Sequence, residues 1–388
     1  MRNRFRNMVD YAKSYYFSFA ERPLNEIDAL IFSWLSYLRL DKTFIRFTHN
    51  QGAPLNYILD SKRINKESLK TYDPEMTSKL LIELGKNPRF SNITISNIVE
   101  KWNEKDTEQF YAMTINYKDL FSFISYRGTD ATMVGWKEDV MMGVSFPVRG
   151  QIAASSYLEK YFTSFNKVIY IGGHSKGGNL AIYSAITAKE EIFTNIKTIY
   201  SFDGPGFLNA FRNSRLYELR KSKIFKVSPT FSFIGSLLEP NINDFSIIES
   251  TGFAFWQHNP FKWYIKDNQF IKIKKANSLA LSISKSFDDV LNECGKEVAE
   301  KAINDVFNLF SSNNIESSRK LGKEIIPIMD SIKKMDETSK ELALSLIKIY
   351  LKIAAKNISN NVVESRSTRK KQKKALKYVK RGEQKNLA

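Results

Sequence analysis

The chain has 388 residues, of which 43% are hydrophobic and 13% aromatic, a composition that is typical of globular proteins and excludes a disordered chain. A single cysteine, Cys294, excludes an intramolecular disulfide framework and a cysteine-rich zinc site. The formal net charge of +18 is concentrated near the C-terminus, as described below.

The N-terminal residues are basic, but Asp10, Lys13 and Glu21 interrupt each apolar stretch that follows. No window approaches the roughly 18 uninterrupted apolar residues of a membrane-spanning helix. We therefore expect a cytoplasmic protein without a classical export signal, with peripheral contact to the membrane as an open alternative.

The first element predicted in the chain is an amphipathic helix over residues 24–41. Its apolar side chains recur every three or four positions. They are Ile27, Leu30, Ile31, Trp34, Leu35 and Leu38. Residues 50–110, which contain Asp73-Pro74 and Asn87-Pro88 as breakers, predict only short helices and turns.

A β-hairpin is predicted next, because residues 110–115 and 120–126 alternate as strands around a turn-forming segment at 116–119. The second strand runs into Arg127-Gly128-Thr129, which alone indicates only a turn. A helix is predicted over residues 151–163.

The most informative segment follows that helix. An apolar strand at 168–171 and a helical pattern at 179–185 enclose Gly173-His174-Ser175-Lys176-Gly177, a G-x-S-x-G sequence. A serine on so sharp a turn can stand above a sheet only if the residues two positions before it and two positions after it are glycines, which have no Cβ to clash. The pattern predicts that Ser175 is a nucleophile beside a helix N-terminus, whereas a glycine-rich turn with an idle serine is the structural alternative.

A serine that attacks an acyl group needs two hydrogen-bond donors for the oxyanion of the tetrahedral intermediate. The backbone N–H of Lys176, directly after the nucleophile, is the first candidate. The second donor is expected from a loop after an earlier strand, and its order in the chain makes Thr129 the candidate, through its N–H and also its hydroxyl.

Further strands are predicted at 196–202, at 223–228 and near 245–249. Strands that alternate with helices predict an α/β fold, in which a mostly parallel sheet is flanked by helices on both faces. Beyond about residue 275 the pattern becomes purely helical, over 278–310 and 316–356.

These patterns divide the chain into three parts. We predict a catalytic domain over residues 1–270, a helical C-terminal region over 271–365 and a basic, disordered tail over 366–388.

Several of these motifs together resemble the class 3 (fungal-type) lipase branch of the α/β-hydrolases, and most closely a group of bacterial lipase-like proteins without a defined role. The resemblance covers roughly residues 24–265. It is carried by Phe123-Ile124-Ser125-Tyr126-Arg127-Gly128-Thr129, Trp136, Asp139, Gly173-His174-Ser175-Lys176-Gly177-Gly178-Asn179-Leu180-Ala181, Leu24-Asn25-Glu26-Ile27-Asp28-Ala29-Leu30, Phe202-Asp203-Gly204-Pro205-Gly206-Phe207 and Gln257-His258-Asn259-Pro260-Phe261-Lys262-Trp263.

The resemblance implies an α/β-hydrolase fold, serine esterase chemistry, no cofactor and an oxyanion role for Thr129. One position departs from the family pattern. Class 3 lipases usually have leucine directly after the serine, and this chain has Lys176, whose charge would disfavour a purely apolar acyl site.

The chain has three histidines, and their order in the chain selects the general base. His174 stands next to Ser175 and is expected to be a packed residue of the turn. His49 precedes the predicted sheet, whereas triads on this fold run serine, acid, histidine. His258 follows the last predicted strand and is therefore the predicted base.

Three carboxylates remain candidates for the acid of the triad. Asp203 ends the strand after the nucleophile helix, although an aspartate there also caps a turn. Glu239 and Asp244 follow the next strand, the commoner location in this fold. Class 3 lipases usually carry the aspartate near the position of Val227-Ser228-Pro229, which holds no carboxylate. We rank Asp203 first, with Asp244 and Glu239 as alternatives.

The C-terminal tail carries half of the net charge. Between Arg366 and Ala388 lie ten Lys or Arg and one acidic residue, Glu383, a net charge of +9. Such a tail is commonly a solvated end, or it binds anionic lipid at about 1 kcal/mol per basic residue. A single aromatic, Tyr378, does not favour nucleic-acid binding.

The sequence thus predicts a serine hydrolase that cleaves carboxylic esters through an acyl-enzyme. A lipid substrate is implied by the resemblance alone. Two alternatives remain open: a thioesterase or peptidase with the same triad, and a hydrolase-like scaffold that binds a partner or an anionic membrane through its helical region and tail. No oligomeric state is predicted.

Overall fold

A computed structural model gives the structure of most of the first 312 residues. The described residues are 6–40, 52–60, 67–69, 73–129, 133–162, 167–232, 234–239, 245–252, 254–274 and 295–312, with the single positions 45, 64, 71, 281, 285, 289 and 340. Within these ranges the chain forms a large β-sheet with helices against both faces.

The strands of the described residues form one large sheet and one small two-stranded sheet. They are β1 Ala53–Pro54, β2 Thr94–Asn103, β3 Glu108–Tyr117, β4 Phe121–Tyr126, β5 Val168–His174, β6 Ile196–Phe202, β7 Ile224–Pro229, β8 Ser246–Ile248, β9 Ile265–Lys266, β10 Gln269–Phe270 and β11 Lys272–Ile273. The large sheet has the order β1-β2-β3-β4-β5-β6-β7-β8-β11, and β9 pairs with β10. Strands β4 to β8 are parallel, whereas the flanking pairs at both ends are antiparallel.

The helices of the described residues pack on both faces of this sheet. They are α1 Met8–Ser14, α2 Glu26–Leu35, α3 Leu55–Asp60, α4 Pro74–Lys86, α5 Pro88–Ser91, α6 Met133–Met141, α7 Arg149–Phe162, α8 Lys176–Thr187, α9 Glu190–Phe193, α10 Asn209–Arg212, α11 Arg215–Arg220 and α12 Lys296–Ser312. In the described part of the chain, no helix combines the length and the apolar composition needed to cross a membrane.

The alternation of side chains along the central strands creates two hydrophobic cores. Phe123 and Tyr170 lie in the core that includes residues of α1, α2 and α4. Their neighbours Ile124 and Ile171 lie in the core that includes residues of α7 and α8. Because both faces of the sheet are covered, β4 and β5 are buried at nearly every position, as is usual for parallel sheets.

The predicted α/β-hydrolase fold is confirmed. The hairpin predicted around 116–119 is formed by β3 and β4, which pair antiparallel with Tyr117 opposite Phe121. The strands predicted at 196–202, 223–228 and near 245–249 are β6, β7 and β8, and the helix predicted at 151–163 is α7.

Two predictions of local structure were wrong in part. Residues 50–110, predicted as helices and turns, contain β2 and the start of β3. The pattern of β2 is obscured by a register shift between Ser96 and Val99, where Asn97 has φ 51° and the alternation of faces breaks. The helix predicted to reach residue 41 ends at Leu35, and the chain then turns.

The predicted C-terminal region is described only in part. Helix α12 overlaps the segment 278–310 that was predicted to be helical and ends two residues beyond it, and it contacts α6. It buries Ala299, Ile303 and Phe307. Apart from Lys340, the helix predicted over 316–356 lies outside the described residues, as does the basic tail. The domain boundaries at 270 and 365 stay predictions.

Candidate active site

The candidate residues meet at the carboxyl edge of the parallel strands. Tyr126 at the end of β4 lies opposite Gly173 in β5, and His174 at the end of β5 lies opposite Phe202 at the end of β6. The segments that follow these strands therefore emerge side by side. This edge is where open α/β sheets bind their ligands.

Ser175 occupies a strained turn between β5 and α8. Its backbone has φ 58° and ψ −133°, a region that L-residues rarely adopt. A side chain on Gly173 would collide with the backbone of Gly177, and one on Gly177 would collide with the carbonyl of Tyr126. The glycines of the G-x-S-x-G sequence are thus required by close backbone approach. The hydroxyl of Ser175 does not cap α8, which leaves it available for other chemistry.

His258 and Asp203 form a buried hydrogen-bonded pair at the same edge. The distance between Nδ1 of His258 and Oδ2 of Asp203 is 2.6 Å, and the residues are 5% and 1% exposed. Asp203 directly follows β6 and has φ 53°, and its N–H donates to the carbonyl of Val227 at 2.8 Å. Because an ionised carboxylate can only accept, Nδ1 of His258 carries the proton, and Nε2 of the neutral ring is the atom that can accept one.

The second oxygen of Asp203 is held by a loop after β7. The hydroxyl of Ser232 donates to Oδ1 of Asp203, and the N–H of Gly235 donates to Oγ of Ser232 at 2.9 Å. A side chain on Gly235 would collide with the Asp203 carboxylate and with Ser228. The carboxylate is therefore fixed from both sides, with one oxygen directed at His258.

The other two candidate acids are placed differently. Glu239 pairs with Lys226 at 2.6 Å and with Arg212 at 3.0 Å, all three being largely buried. Asp244 lies outside the described residues. Of the candidates that the structure describes, Asp203 is the one that it brings to His258.

His174 supports the backbone beside the candidate base. Its Nε2 lies 2.8 Å from the carbonyl of His258, which can only accept, so Nε2 carries the proton. The hydroxyl of Tyr37 then donates to Nδ1 of His174 at 2.9 Å. Burial, with the neighbouring His258 as a second cause, holds the pKa of His174 well below its usual value. His174 is therefore a neutral, packed ring, while His49 lies outside the described residues.

Thr129 lies in the loop after β4 beside the nucleophile. A side chain on Gly128 would come within 3.0 Å of Cβ of Ser175, which shows how closely this loop approaches the serine. The hydroxyl of Thr129 donates to the carboxylate of Asp139, with 2.6 Å to each oxygen. Because the hydroxyl proton of Thr129 is bound to Asp139, only the backbone N–H of Thr129 remains a candidate donor to the oxyanion.

Asp139, in α6, has an unusual electrostatic environment. Burial raises the pKa of its carboxyl to about 6, although the charge of Lys176 and the hydrogen bond from Thr129 act in the opposite direction.

The side chain of Lys176 is buried in a polar cluster. Its Nζ donates to the carbonyl and to Oε1 of Gln109, at 2.8 and 2.5 Å, and to Oε2 of Glu138 at 2.7 Å. These three acceptors match the three protons of an ammonium group. The ammonium charge is thus compensated by Glu138, and the expectation that Lys176 disfavours a purely apolar acyl site stays a prediction.

A small cavity of about 30 Å³ lies beside the nucleophile. Its lining combines polar and apolar residues, namely Asp139, Gly143, Ser175, Lys176, Pro205, Ile234, Leu237 and Leu238. The cavity is large enough for a water-sized group, and Ile234, Leu237 and Leu238 form an apolar wall on one side of it. Among the described residues, no group of three or more His, Cys, Asp or Glu side chains is placed to hold a metal ion.

A model of one protein family, described as Mbeg1-like, matches residues 84–308, more than half of the chain. The chain belongs to the Mbeg1-like family. This is a lipase-like family, which agrees with the resemblance seen in the sequence. No curated protein matches the chain.

Several solved lipase structures are similar to this chain. A Rhizomucor miehei lipase–propeptide complex is 16% identical, with 42% of this chain and 58% of that chain covered and a TM-score of 0.32. M37 lipase is 15% identical, with 56% and 69% covered and a TM-score of 0.33. A lipase from Rhizopus microsporus var. chinensis is 13% identical, with 67% and 83% covered and a TM-score of 0.31. The chain thus spans less than two thirds of the Rhizomucor protein.

Sequence reasoning missed three residues that hold the site together. Gln109 and Glu138 accept hydrogen bonds from the ammonium of Lys176, and Ser232 donates a hydrogen bond to Asp203. A lysine in the turn between an apolar strand and a helix is itself a signal, because a buried ammonium requires a partner. That signal does not identify the partner, which lies 38 residues away for Glu138.

Proposed function

We propose that this protein is a serine hydrolase that cleaves carboxylic esters through an acyl-enzyme. The observation that carries the proposal is the buried hydrogen bond between His258 and Asp203, at the same sheet edge as the strained turn at Ser175. An arrangement of nucleophile, histidine and acid is the usual way to activate a serine hydroxyl.

In this proposal, Ser175 attacks the carbonyl carbon of the ester while Nε2 of His258 takes its proton. Asp203 keeps the imidazole in the tautomer with a proton on Nδ1 and stabilises the imidazolium that forms. The N–H groups of Lys176 and Thr129 donate to the oxyanion. His258 then returns the proton to the leaving alcohol, and a water molecule hydrolyses the acyl-enzyme by the same steps.

The substrate class proposed is an ester with an acyl chain, including lipid esters. The apolar wall of the cavity beside Ser175, formed by Ile234, Leu237 and Leu238, supports an acyl group there. Lipases are also the proteins named among the similar structures. Thioesters and peptides pass through the same tetrahedral intermediate and are the alternative substrates to compare.

The direct test is turnover of short p-nitrophenyl esters by the parent protein and by Ser175→Ala. The variant should lose turnover while its thermal midpoint stays close to that of the parent, because one hydroxyl is removed without a cavity of significant size. Ser184→Ala, which removes a buried hydroxyl from α8, the helix that follows Ser175, is the matched control and should keep the parent rate. Retained activity in Ser175→Ala would remove Ser175 as the nucleophile.

For the basic tail, with its net charge of +9 between Arg366 and Ala388, we propose electrostatic contact with anionic membrane surfaces. Truncation after Ser365 should leave turnover of water-soluble esters unchanged but weaken binding to vesicles that contain anionic lipid. Binding by the full chain should also weaken as salt is added. Equal vesicle binding by both forms would refute this role.

A further inference from the structure

Helix α6 contacts both candidate oxyanion donors through adjacent residues. Glu138 binds the side chain of Lys176 at 2.7 Å, and Asp139 binds the hydroxyl of Thr129 at 2.6 Å. The backbone N–H groups of Lys176 and Thr129 are the two proposed donors, and they follow different strands, β5 and β4. One short segment of α6 therefore connects the two sides of the proposed oxyanion hole.

Glu138 is itself firmly seated. Its Oε1 accepts from the N–H of Gly150 at 2.6 Å, at the start of α7, and its Oε2 accepts from the N–H of Gln109 at 3.4 Å. A side chain on Gly150 would have its Cβ 2.9 Å from this carboxylate, so a larger residue there would displace the carboxylate. Glu138 and Lys176 are both about 1% exposed. The pair is thus a buried junction of β3, α6, α7 and the start of α8.

We infer that Lys176 and Glu138 form a positioning pair, which sets the distance between the two oxyanion donors by tying the first residue of α8 to the helix that holds Thr129. This inference rests on the proposed function. The pair acts through the backbone of Lys176 and through α6, and its side chains need not touch the substrate.

Stability alone is a poor explanation for this pair. Moving two charges out of water offsets most of their attraction, so a buried ion pair is often no more stabilising than well-packed apolar residues of similar size. A leucine would fill the space but could not bind Glu138, so the lysine adds a fixed connection rather than packing.

The test is a double-mutant cycle of Lys176→Met and Glu138→Gln on a soluble p-nitrophenyl ester, with each variant assayed well below its own thermal midpoint. Each single variant should lower kcat at least about tenfold, while KM stays within about threefold, because ground-state binding does not use the oxyanion donors. The kcat of the double variant should fall no further than that of the poorer single variant, because both changes break the same connection.

A trifluoromethyl ketone provides an independent readout, because it forms a tetrahedral oxyanion adduct on an activated serine. Its inhibition constant should rise in parallel with the loss in kcat/KM. The matched control is Lys226→Met, which breaks another buried lysine–glutamate pair of 2.6 Å whose glutamate still has Arg212. The control should lose stability but keep kcat within about threefold.

If both single variants keep the parent kcat and the parent affinity for the ketone, the pair is structural only and the inference is wrong. Should Lys176→Met fail to fold, Glu138→Gln alone decides the question, because it keeps the size of the side chain and removes its charge. A parent protein that neither turns over esters nor binds the ketone would instead overturn the proposed function, and the inference with it.

Discussion

Replacing Asp203 by asparagine changes which nitrogen of His258 carries the proton. In the parent structure, the N–H of Gly235 donates to Oγ of Ser232, and the hydroxyl of Ser232 donates to Oδ1 of Asp203. This chain of donors requires an acceptor at that position, so the amide oxygen of asparagine would take it. The amide NH₂ would then face Nδ1 of His258, which lies 2.6 Å from Oδ2 of Asp203 in the parent structure.

An NH₂ group opposite Nδ1 selects the tautomer with the proton on Nε2, which cannot accept the proton of Ser175. For a serine protease, the same change of tautomer lowers kcat by about 10⁴. We expect kcat of Asp203→Asn to fall by about 10³ to 10⁴, or about 4 to 5.5 kcal/mol in activation free energy, with KM little changed. The change is nearly isosteric and keeps the bond from Ser232, so the fold should persist.

The assay is steady-state hydrolysis of a soluble p-nitrophenyl ester at neutral pH, with circular dichroism to confirm folding. Glu239→Gln is the paired variant, because Glu239 was an alternative acid and binds Lys226 and Arg212. It should keep kcat within about threefold while losing some stability. If Asp203→Asn kept the parent kcat, or if Glu239→Gln lost as much as 10³, the assignment of the acid would be wrong.

Three further predictions concern the histidines and Asp139. His258→Ala should lower kcat by about 10³ or more, whereas His49→Ala should stay within a few-fold, and the reverse result would contradict the chain order of the triad. The pKa of His174 is depressed in the fold. Below about pH 6.5 the unfolded chain therefore binds a proton that the folded chain does not bind. The free energy of unfolding thus falls on acidification by up to about 1.4 kcal/mol per pH unit. Urea unfolding of His174→Gln should lack this part of the acid dependence, and an unchanged slope would show that His174 takes up a proton in the fold. The pKa of Asp139 is raised to about 6 in the fold. The contribution of this group to the free energy of unfolding is therefore fully present at low pH and is lost as the pH rises through about 6. Asp139→Asn should therefore gain up to about 3 kcal/mol relative to the parent between about pH 4 and pH 8, and a difference that is independent of pH would refute the shift.

The elements that position Ser175 could be predicted because their signals are local. Apolar runs bounded by glycine and turn residues define β5 and β6, and the close approach of Gly173 and Gly177 follows from backbone geometry alone. The strand β2 was missed because a register shift at Ser96 breaks its alternation. The end of α2 was misplaced since Leu38 continues the helical stripe after the helix has stopped at Leu35.

The electrostatic partners of the site could not be predicted, because they are set by tertiary contacts. Nothing near Lys176 in the chain indicates that Gln109 and Glu138, on β3 and α6, would accept its protons. The place of Asp203 at the end of β6 allowed it to be ranked first among the acids, but the serine that fixes its second oxygen comes from a loop 29 residues later. Helix α12, from the predicted C-terminal region, packs on α6, a contact that periodicity alone does not indicate.

The most direct measurement is covalent labelling of the full chain by a fluorophosphonate probe, read by intact mass and by peptide mapping. Only a serine with an activated hydroxyl reacts at a significant rate with such a probe. The proposed mechanism predicts one adduct per chain, located on Ser175, and none in Ser175→Ala. A folded parent protein that remains unlabelled, or an adduct that persists in Ser175→Ala, would contradict it.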